Sequence, residues 1–203
     1  MKFEEIKGNL ISLASEGKFD IIAHGCNCFC TMGAGIAPQM AKAFGADKFP
    51  KEHSNYRGDI NKLGTIDYIE FTGVCSENPD KQMYNHIKQE WVPIKNNFLK
   101  SLTIVNAYTQ YHYGANHADG KNKPLDYEAL ILCMRKINHR FKGKHIGLPL
   151  IGAGLAGGIW SVKELPNNQQ LTALPFGVYK DIKTIIQDEL KDCDVTIVHY
   201  DNA

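Results

Sequence analysis

The sequence predicts an α/β protein in which a sheet is covered by helices on both faces. Three observations carry this. Apolar runs of strand length alternate with segments whose apolar residues recur every three or four positions, the signature of strands exchanging with amphipathic helices. Two strand-like runs lead into glycine-rich loops, at residues 33–35 and 152–158. At 203 residues, 43% hydrophobic and 22% charged, the chain has the size and make-up of one domain with a full core.

The elements follow in order. Residues 2–7 alternate, with Phe3 and Ile6 apolar, and read as an edge strand that breaks at Gly8-Asn9. Residues 10–14 read as a turn or short helix. Asp20 opens a buried strand, Ile21-Ile22-Ala23, whose tip is small and polar: His24, Gly25, Cys26 and Asn27. A helix over 36–44 places Ile36, Met40, Ala43 and Phe44 on one face; Pro38 is tolerated in its first turn, and Gly45 supplies a C-terminal cap. Residues 51–56 read as a short helix and 64–71 as an alternating strand. Residues 73–98, with a turn at Asn78-Pro79-Asp80 and an interruption at Pro93, read as an excursion built from a hairpin or a short helix. Residues 102–109 form a second central strand, followed by a polar loop over 110–125.

Asp126 is placed to cap a helix over 127–141. Glu128 stands early in it and Arg135, Lys136 and Arg140 late, as the helix dipole favours, while Leu130, Cys133, Met134 and Ile137 share a face. Residues 145–151 make the next strand. Residues 179–190 make a helix with Ile182, Ile185, Ile186 and Leu190 on one side, and residues 194–199 close the chain as a strand.

Composition narrows the function classes. A net charge of +1 carries no sign of bulk attraction to nucleic acid or membrane. Residues 1–7 hold no signal-peptide core, and no apolar run reaches spanning length. The six cysteines accompany apolar segments. These features predict a cytoplasmic protein with reduced thiols, without membrane contact or direct nucleic-acid binding. Cys26, Cys28 and Cys30 alternate, which is not a zinc spacing; they read as small buried thiols, and no metal or cofactor is expected.

The glycine loops carry the chemistry. Neither continues as Gly-Lys-Ser/Thr, and the first lacks the G-x-G-x-x-G dinucleotide fingerprint. Each follows a strand, and ligands of open α/β sheets bind outside the carboxyl ends of strands. Backbone N–H groups at a helix start are unpaired and favour an anion. Two such loops suit a ligand threaded between them, with amides on either side of a diphosphate. Against this stands the reading that the glycines only make tight turns.

Residues Ile22-Ala-His-Gly-Cys-Asn27, Gly33-Ala-Gly-Ile-Ala37, Val105-Asn-Ala-Tyr-Thr-Gln110 and Leu148-Pro-Leu-Ile-Gly-Ala-Gly-Leu-Ala-Gly-Gly158 together resemble a macrodomain, and within that family the branch of ADP-ribose-1″-phosphate phosphatases. The resemblance runs in order from Met1 to about Trp160 and then through the final helix and strand. It implies a three-layer α/β/α macrodomain fold around a mixed sheet, a single domain over 1–203 with insertions at 73–98 and 161–178, and ADP-ribose lying across the strand ends. Asn9, followed by Leu10, stands where most relatives carry the aspartate that binds the adenine amine. Asn27 matches the asparagine at the distal ribose. Gly33, Ala34, Gly35 and Ile36 match the first diphosphate loop, and Gly152, Ala153, Gly154, Leu155 and Ala156 the second. His24 matches a histidine given a catalytic role in the phosphatase branch. Two positions depart from related patterns: Ala156 stands where deglutamylating relatives have an aspartate, and Ile159 where many carry one before the tryptophan.

Read alone, His24 is a candidate general acid near neutral pH or a histidine satisfied within its loop. Asn106, Tyr108 and Gln110 end the second central strand and are candidates for the distal ribose or terminal phosphate pocket. Asp119 and Asp126 are further candidate acids. Tyr111, His112, Tyr113 and His117 form either a solvated loop or a flap over the ligand, and His199 and Tyr200 are placed to flank the adenine. The expected function is metal-independent removal of the 1″-phosphate from ADP-ribose-1″-phosphate by a monomer, with His24 and Asn27 at the reacting end. The alternatives are a reader that binds ADP-ribose without turnover, or a hydrolase that removes ADP-ribose from modified macromolecules.

Overall fold

The computed structural model describes residues 2–48, 57–73, 82–85, 90–93, 101–113, 124–165, 178 and 180–200. Its elements are β1 (Phe3–Gly8), α1 (Leu10–Ser15), β2 (Ile21–Asn27), α2 (Ala37–Phe44), β3 (Ile66–Gly73), β4 (Gln82–Asn85), β5 (Glu90–Pro93), β6 (Leu102–Gln110), α3 (Tyr127–Arg140), β7 (His145–Leu148), α4 (Ile182–Glu189) and β8 (Asp194–Tyr200). The strands form one mixed sheet in the order β1-β8-β7-β2-β6-β3-β4-β5. From β1 to β6 all neighbours are parallel, and β3, β4 and β5 continue antiparallel.

Alternation along the strands sorts the core into two layers. Ile21, Ala23, Val105, Ala107, Val195 and Ile197 pack against α3 and α4. Ile22, Ile104, Phe71 and Val198 pack against α1 and α2. The three-layer α/β/α arrangement is therefore read directly from which side chains are buried on each face.

Each helix end has a local cause. Asn9 Oδ1 accepts from Ile11 N and Ser12 N at 3.0 and 3.1 Å, which starts α1. α2 has no side-chain cap; Pro38 lies in its first turn, and Gly45 ends it in the left-handed conformation, at φ 64°. Asp126 Oδ1 accepts from Ala129 N at 2.9 Å and starts α3. Asp181 accepts from Thr184 N and, through its other oxygen, from Val162 N, both at 2.8 Å, tying the start of α4 to the segment after Trp160.

Two boundaries differ from expectation for a local reason. The strand over 145–151 ends at Leu148, because Pro149 has no N–H to continue the ladder and Ile151 N turns back to Pro149 O. The last helix begins at Ile182 rather than 179, where Asp181 can cap it. Of the excursion over 73–98, the described part is the antiparallel pair β4–β5. The short helix expected over 51–56, together with His117, Asp119 and residues 166–177, lies outside the described residues.

Candidate functional site

The C-terminal ends of β1, β8, β7, β2 and β6 open into one cavity of about 880 Å³, a size suited to a nucleotide-scale ligand. Asn9 and Leu10 line one end, with Gly8, Val198 and Tyr200. The Gly8–Tyr200 pairing of β1 and β8 sets Tyr200 beside this end. Gly33, Ala34, Gly35 and Ile36 line one side, and Gly152, Ala153, Gly154, Leu155 and Ala156 another. Asn27, Thr31, Gln110 and Tyr113 lie with the ends of β2 and β6. The cavity thus passes from an apolar, aromatic end, between two glycine loops, to a polar end.

The glycines divide into two kinds. A Cβ added at Gly33, Gly35 or Gly154 meets nothing within 4 Å, so these backbones border open space that a ligand can approach. Gly158 is packed: a Cβ there lies 2.2 Å from Leu125 Cδ2 and 2.7 Å from Ile182 Cδ1. Gly152 combines a turn, at φ 76°, with a close approach to Leu125. The turn-making reading therefore holds for part of the second loop and for Gly35, at φ 62°, while Gly33 and Gly154 border open space without a left-handed backbone.

Asn27 shapes the polar end. Its Nδ2 donates to Thr31 O at 2.9 Å and Thr31 Oγ1 at 3.0 Å, and its Oδ1 lies 3.3 Å from Thr31 N and 3.2 Å from Thr31 Oγ1. These bonds fold residues 27–31 into a closed turn in which Cys30 adopts φ 57°. Lys62 Nζ donates to Cys30 Sγ at 3.5 Å behind that turn. Thr109, on the cavity wall, holds a buried hydroxyl with no hydrogen-bond partner among the described residues.

His24 is elsewhere. It is fully buried and absent from the cavity wall. Asn106 Nδ2 donates to Ala46 O at 2.8 Å, which leaves Asn106 Oδ1 facing His24 Nε2, also at 2.8 Å. Nε2 must then be the protonated nitrogen and Nδ1 the bare one, with Cys26 Sγ at 3.9 Å. Burial outweighs the Asn106 hydrogen bond and lowers the His24 pKa from 6.5 to about 4, so the ring is neutral at pH 7. The ring lies on the strand face of Ile22, the face packed against α1 and α2, and joins β2 to β6 through Asn106, which in turn bonds the turn at Ala46.

Asn106 and Tyr108 share that face and likewise do not line the cavity. Tyr108 is buried and donates to Asp67 Oδ2 at 2.6 Å; burial, then this bond, raises its phenol pKa. Asp126 is the cap of α3, and Ile159 N donates to the Tyr127 hydroxyl at 2.9 Å. Of the aromatic flap residues, Tyr113 reaches the cavity, and Phe29 packs edge-on against Tyr111, His112 and Tyr113. His199 points away, with Nε2 2.6 Å from Glu5 Oε2.

Sequence reasoning missed Gly8, Thr31, Gln39, Pro124 and Pro149 as wall residues. Thr31 had a findable signal, since a Thr four residues after an Asn is in reach of an Asx-type turn. Among the described residues the cavity is lined by no Asp, Glu, His, Lys or Arg. None of these residues forms a His, Cys, Asp or Glu group able to hold a metal ion.

Comparison with known proteins fits this geometry. No family model matches the chain. A 17.5 kDa uncharacterized protein from the tk-vs intergenic region of Enterobacteria phage T4 is 35% identical over 167 residues, covering 78% of this chain and 83% of that protein. A Bacteroides thetaiotaomicron crystal structure matches with TM-score 0.55 at 19% identity, over 98% of this chain and 99% of that one. Thermosipho africanus DarTG in complex with ADP-ribose matches with TM-score 0.52 at 13% identity, over 98% of this chain and 42% of that one. The chain belongs to the family of the phage protein and has the macrodomain fold. In this fold the sheet order, the two loops and the cavity over the strand ends are one structural unit, and no described helix is long and apolar enough to cross a membrane.

Proposed function

We propose that this macrodomain binds ADP-ribose, with the diphosphate between the two glycine loops. The carrying observation is the cavity wall itself: glycine backbones at 33, 35 and 154 border open space, at the start of α2 on one side, and no charged side chain of the described residues competes with them. Backbone N–H groups hold a diphosphate through fixed dipoles, without the desolvation cost of a buried lysine or arginine. The apolar end suits the base, and the polar end suits the distal ribose, with Asn27 beside it. The ADP-ribose found with Thermosipho africanus DarTG agrees with this reading.

Binding, rather than turnover, is the function the geometry supports best, because His24 is buried and the described wall holds no ordinary proton donor or acceptor near neutral pH. Removal of a 1″-phosphate remains a second reading on one observation: Asn27, Thr31 and Gln110 cluster at the polar end and are able to orient a water or a terminal phosphate. Calorimetry with ADP-ribose tests the first reading, and phosphate release from ADP-ribose-1″-phosphate tests the second. Binding without release is the expected result. No heat of binding at millimolar ADP-ribose would remove both.

A further inference from the structure

Outside the cavity wall, the fold brings a thiol and an amine together. Lys62 is 1% exposed, and its Nζ donates to Cys30 Sγ at 3.5 Å. The thiol hydrogen has acceptors of its own, the Tyr108 hydroxyl oxygen at 3.8 Å and Cys28 O at 3.9 Å. Tyr108 spends its own hydrogen on Asp67 Oδ2, so its oxygen is left to accept. A sulfur lone pair therefore meets the lysine nitrogen. The backbone holds this approach. Lys62 ends a 3-10 turn, Ile60–Lys62, which Asp59 caps through Asn61 N at 2.9 Å. On either side of it, Gly58 N donates to Cys28 O and Gly64 N to Tyr108 O, both at 2.9 Å. Cys30 is also the one described cysteine that is only half-buried; Cys26, Cys28, Cys133 and Cys193 are buried.

We propose that Cys30 and Lys62 form a reversible cross-link on exposure to hydrogen peroxide. Cys30 Sγ attacks one peroxide oxygen. The O–O bond breaks, an S–O bond forms, and the other oxygen leaves as water with the thiol hydrogen; sulfur gives up two electrons and peroxide takes them. Lys62 Nζ, after its ammonium has released a proton, then attacks the sulfenic sulfur. An N–S bond forms, the S–O bond breaks, and the hydroxyl leaves as a second water with one amine hydrogen, so that the product is a sulfenamide. Two equivalents of an added thiol reverse it, restoring both side chains and leaving the disulfide of the reductant. The cross-link reaches the cavity through the turn over residues 27–31. Asn27 and Thr31, whose mutual hydrogen bonds close that turn around Cys30, both line the polar end. Drawing Sγ onto Nζ from 3.5 Å pulls the turn toward Lys62 and weakens ligand binding. This last step rests on the ADP-ribose reading above; the cross-link itself does not.

The test treats the whole protein with hydrogen peroxide, denatures it without reductant and maps tryptic peptides by mass. The expected product is a pair of peptides joined at Cys30 and Lys62, together two hydrogens lighter than the separate peptides, with Lys62 resistant to trypsin until dithiothreitol is added. Cys30→Ser and Lys62→Arg should each lack it, and Lys62→Arg should instead keep a sulfenic acid that dimedone traps. By calorimetry, oxidation should weaken ADP-ribose binding by roughly fivefold, the worth of one hydrogen bond, with recovery in dithiothreitol and no such response in Cys30→Ser. Oxygen retained on Cys30 with Lys62 unlinked in the wild type, or a disulfide from Cys30 to another cysteine, would overturn the cross-link. A cross-link that leaves the affinity unchanged would overturn its coupling to the cavity. Absence of ADP-ribose binding in the reduced protein would overturn the ligand reading and that coupling, while the peptide masses would still decide the cross-link.

Discussion

The position of His24 predicts a pH dependence of stability that a catalytic histidine at the cavity surface would not produce. In the folded protein its pKa is lowered from 6.5 to about 4, first because burial disfavours the imidazolium. In the unfolded chain the ring titrates at its ordinary value. Between those two pH values the unfolded state holds a proton that the folded state does not, so stability rises with pH there. Descending from pH 7, the contribution is intact above 6.5, declines through the window, and is fully lost below about 4. At about 1.4 kcal/mol per pH unit the whole displacement is worth roughly 3 kcal/mol. Urea denaturation of the wild type and of His24→Gln between pH 7.5 and 4.5 isolates this term. The carboxylates whose pKa values are lowered, Glu4, Glu5 and Asp192, lose their favourable contribution at the acid end in both proteins and cancel in the difference. The wild type should lose about 2–3 kcal/mol more than His24→Gln across that range. At pH 7.5 the variant should be less stable by about 1–3 kcal/mol, since a flexible side chain of different shape replaces the fully buried ring that donates to Asn106 Oδ1, yet bind ADP-ribose within twofold of the wild type. Parallel pH profiles, or a His24 ring signal that titrates near 6.5 by NMR, would refute the assignment.

Other expectations follow from the cavity wall and the caps. Gly154→Val and Gly33→Val put side chains into open space, so each should weaken ADP-ribose binding at least tenfold while shifting Tm by no more than a few degrees; unchanged affinity in calorimetry would separate the loops from the diphosphate. Gly158→Ala should do the reverse, costing about 1–3 kcal/mol in denaturant unfolding because its Cβ would overlap Leu125 and Ile182. Asp181→Ala removes the acceptor of both Thr184 N and Val162 N and should cost about 1–2 kcal/mol, with faster amide exchange at those two residues as the local readout. Thr109→Val deletes a buried hydroxyl that has no partner among the described residues and should leave stability unchanged or raise it by up to about 1 kcal/mol.

Much of the frame is legible along the chain because burial imposes a period. Leu130, Cys133, Met134 and Ile137 on α3, and Ile182, Ile185 and Ile186 on α4, are all buried, as their three- and four-residue spacing demands. Strand order is not legible in this way. β1 pairs with β8 across nearly the whole chain, Phe3 opposite Val195, and the parallel strands carry similar apolar alternation, so no local feature distinguishes one neighbour from another. Boundaries fail where a single group overrides a pattern: the apolar run 146–151 continues past β7 in sequence, but Pro149 lacks the donor a strand requires.

The site divides along the same line. The glycine loops are legible because a backbone surface needs no side chain and glycine is how a sequence encodes one. A strand-tip histidine carries no such mark. His24 and Asn27 are three residues apart on β2, so alternation alone sends their side chains to opposite faces, and which face is the ligand's depends on the helix packed beneath. Here α2 and the turn at Ala46 close over His24, and Asn106 supplies the one bond its neutral ring can donate. Asn9 is the converse case. Its residue type offers both a donor and an acceptor, but the two N–H groups of α1 take the acceptor, which only the three-dimensional cap reveals. Chemistry at this cavity is therefore set less by which polar residues are present than by which of their atoms the fold has already used.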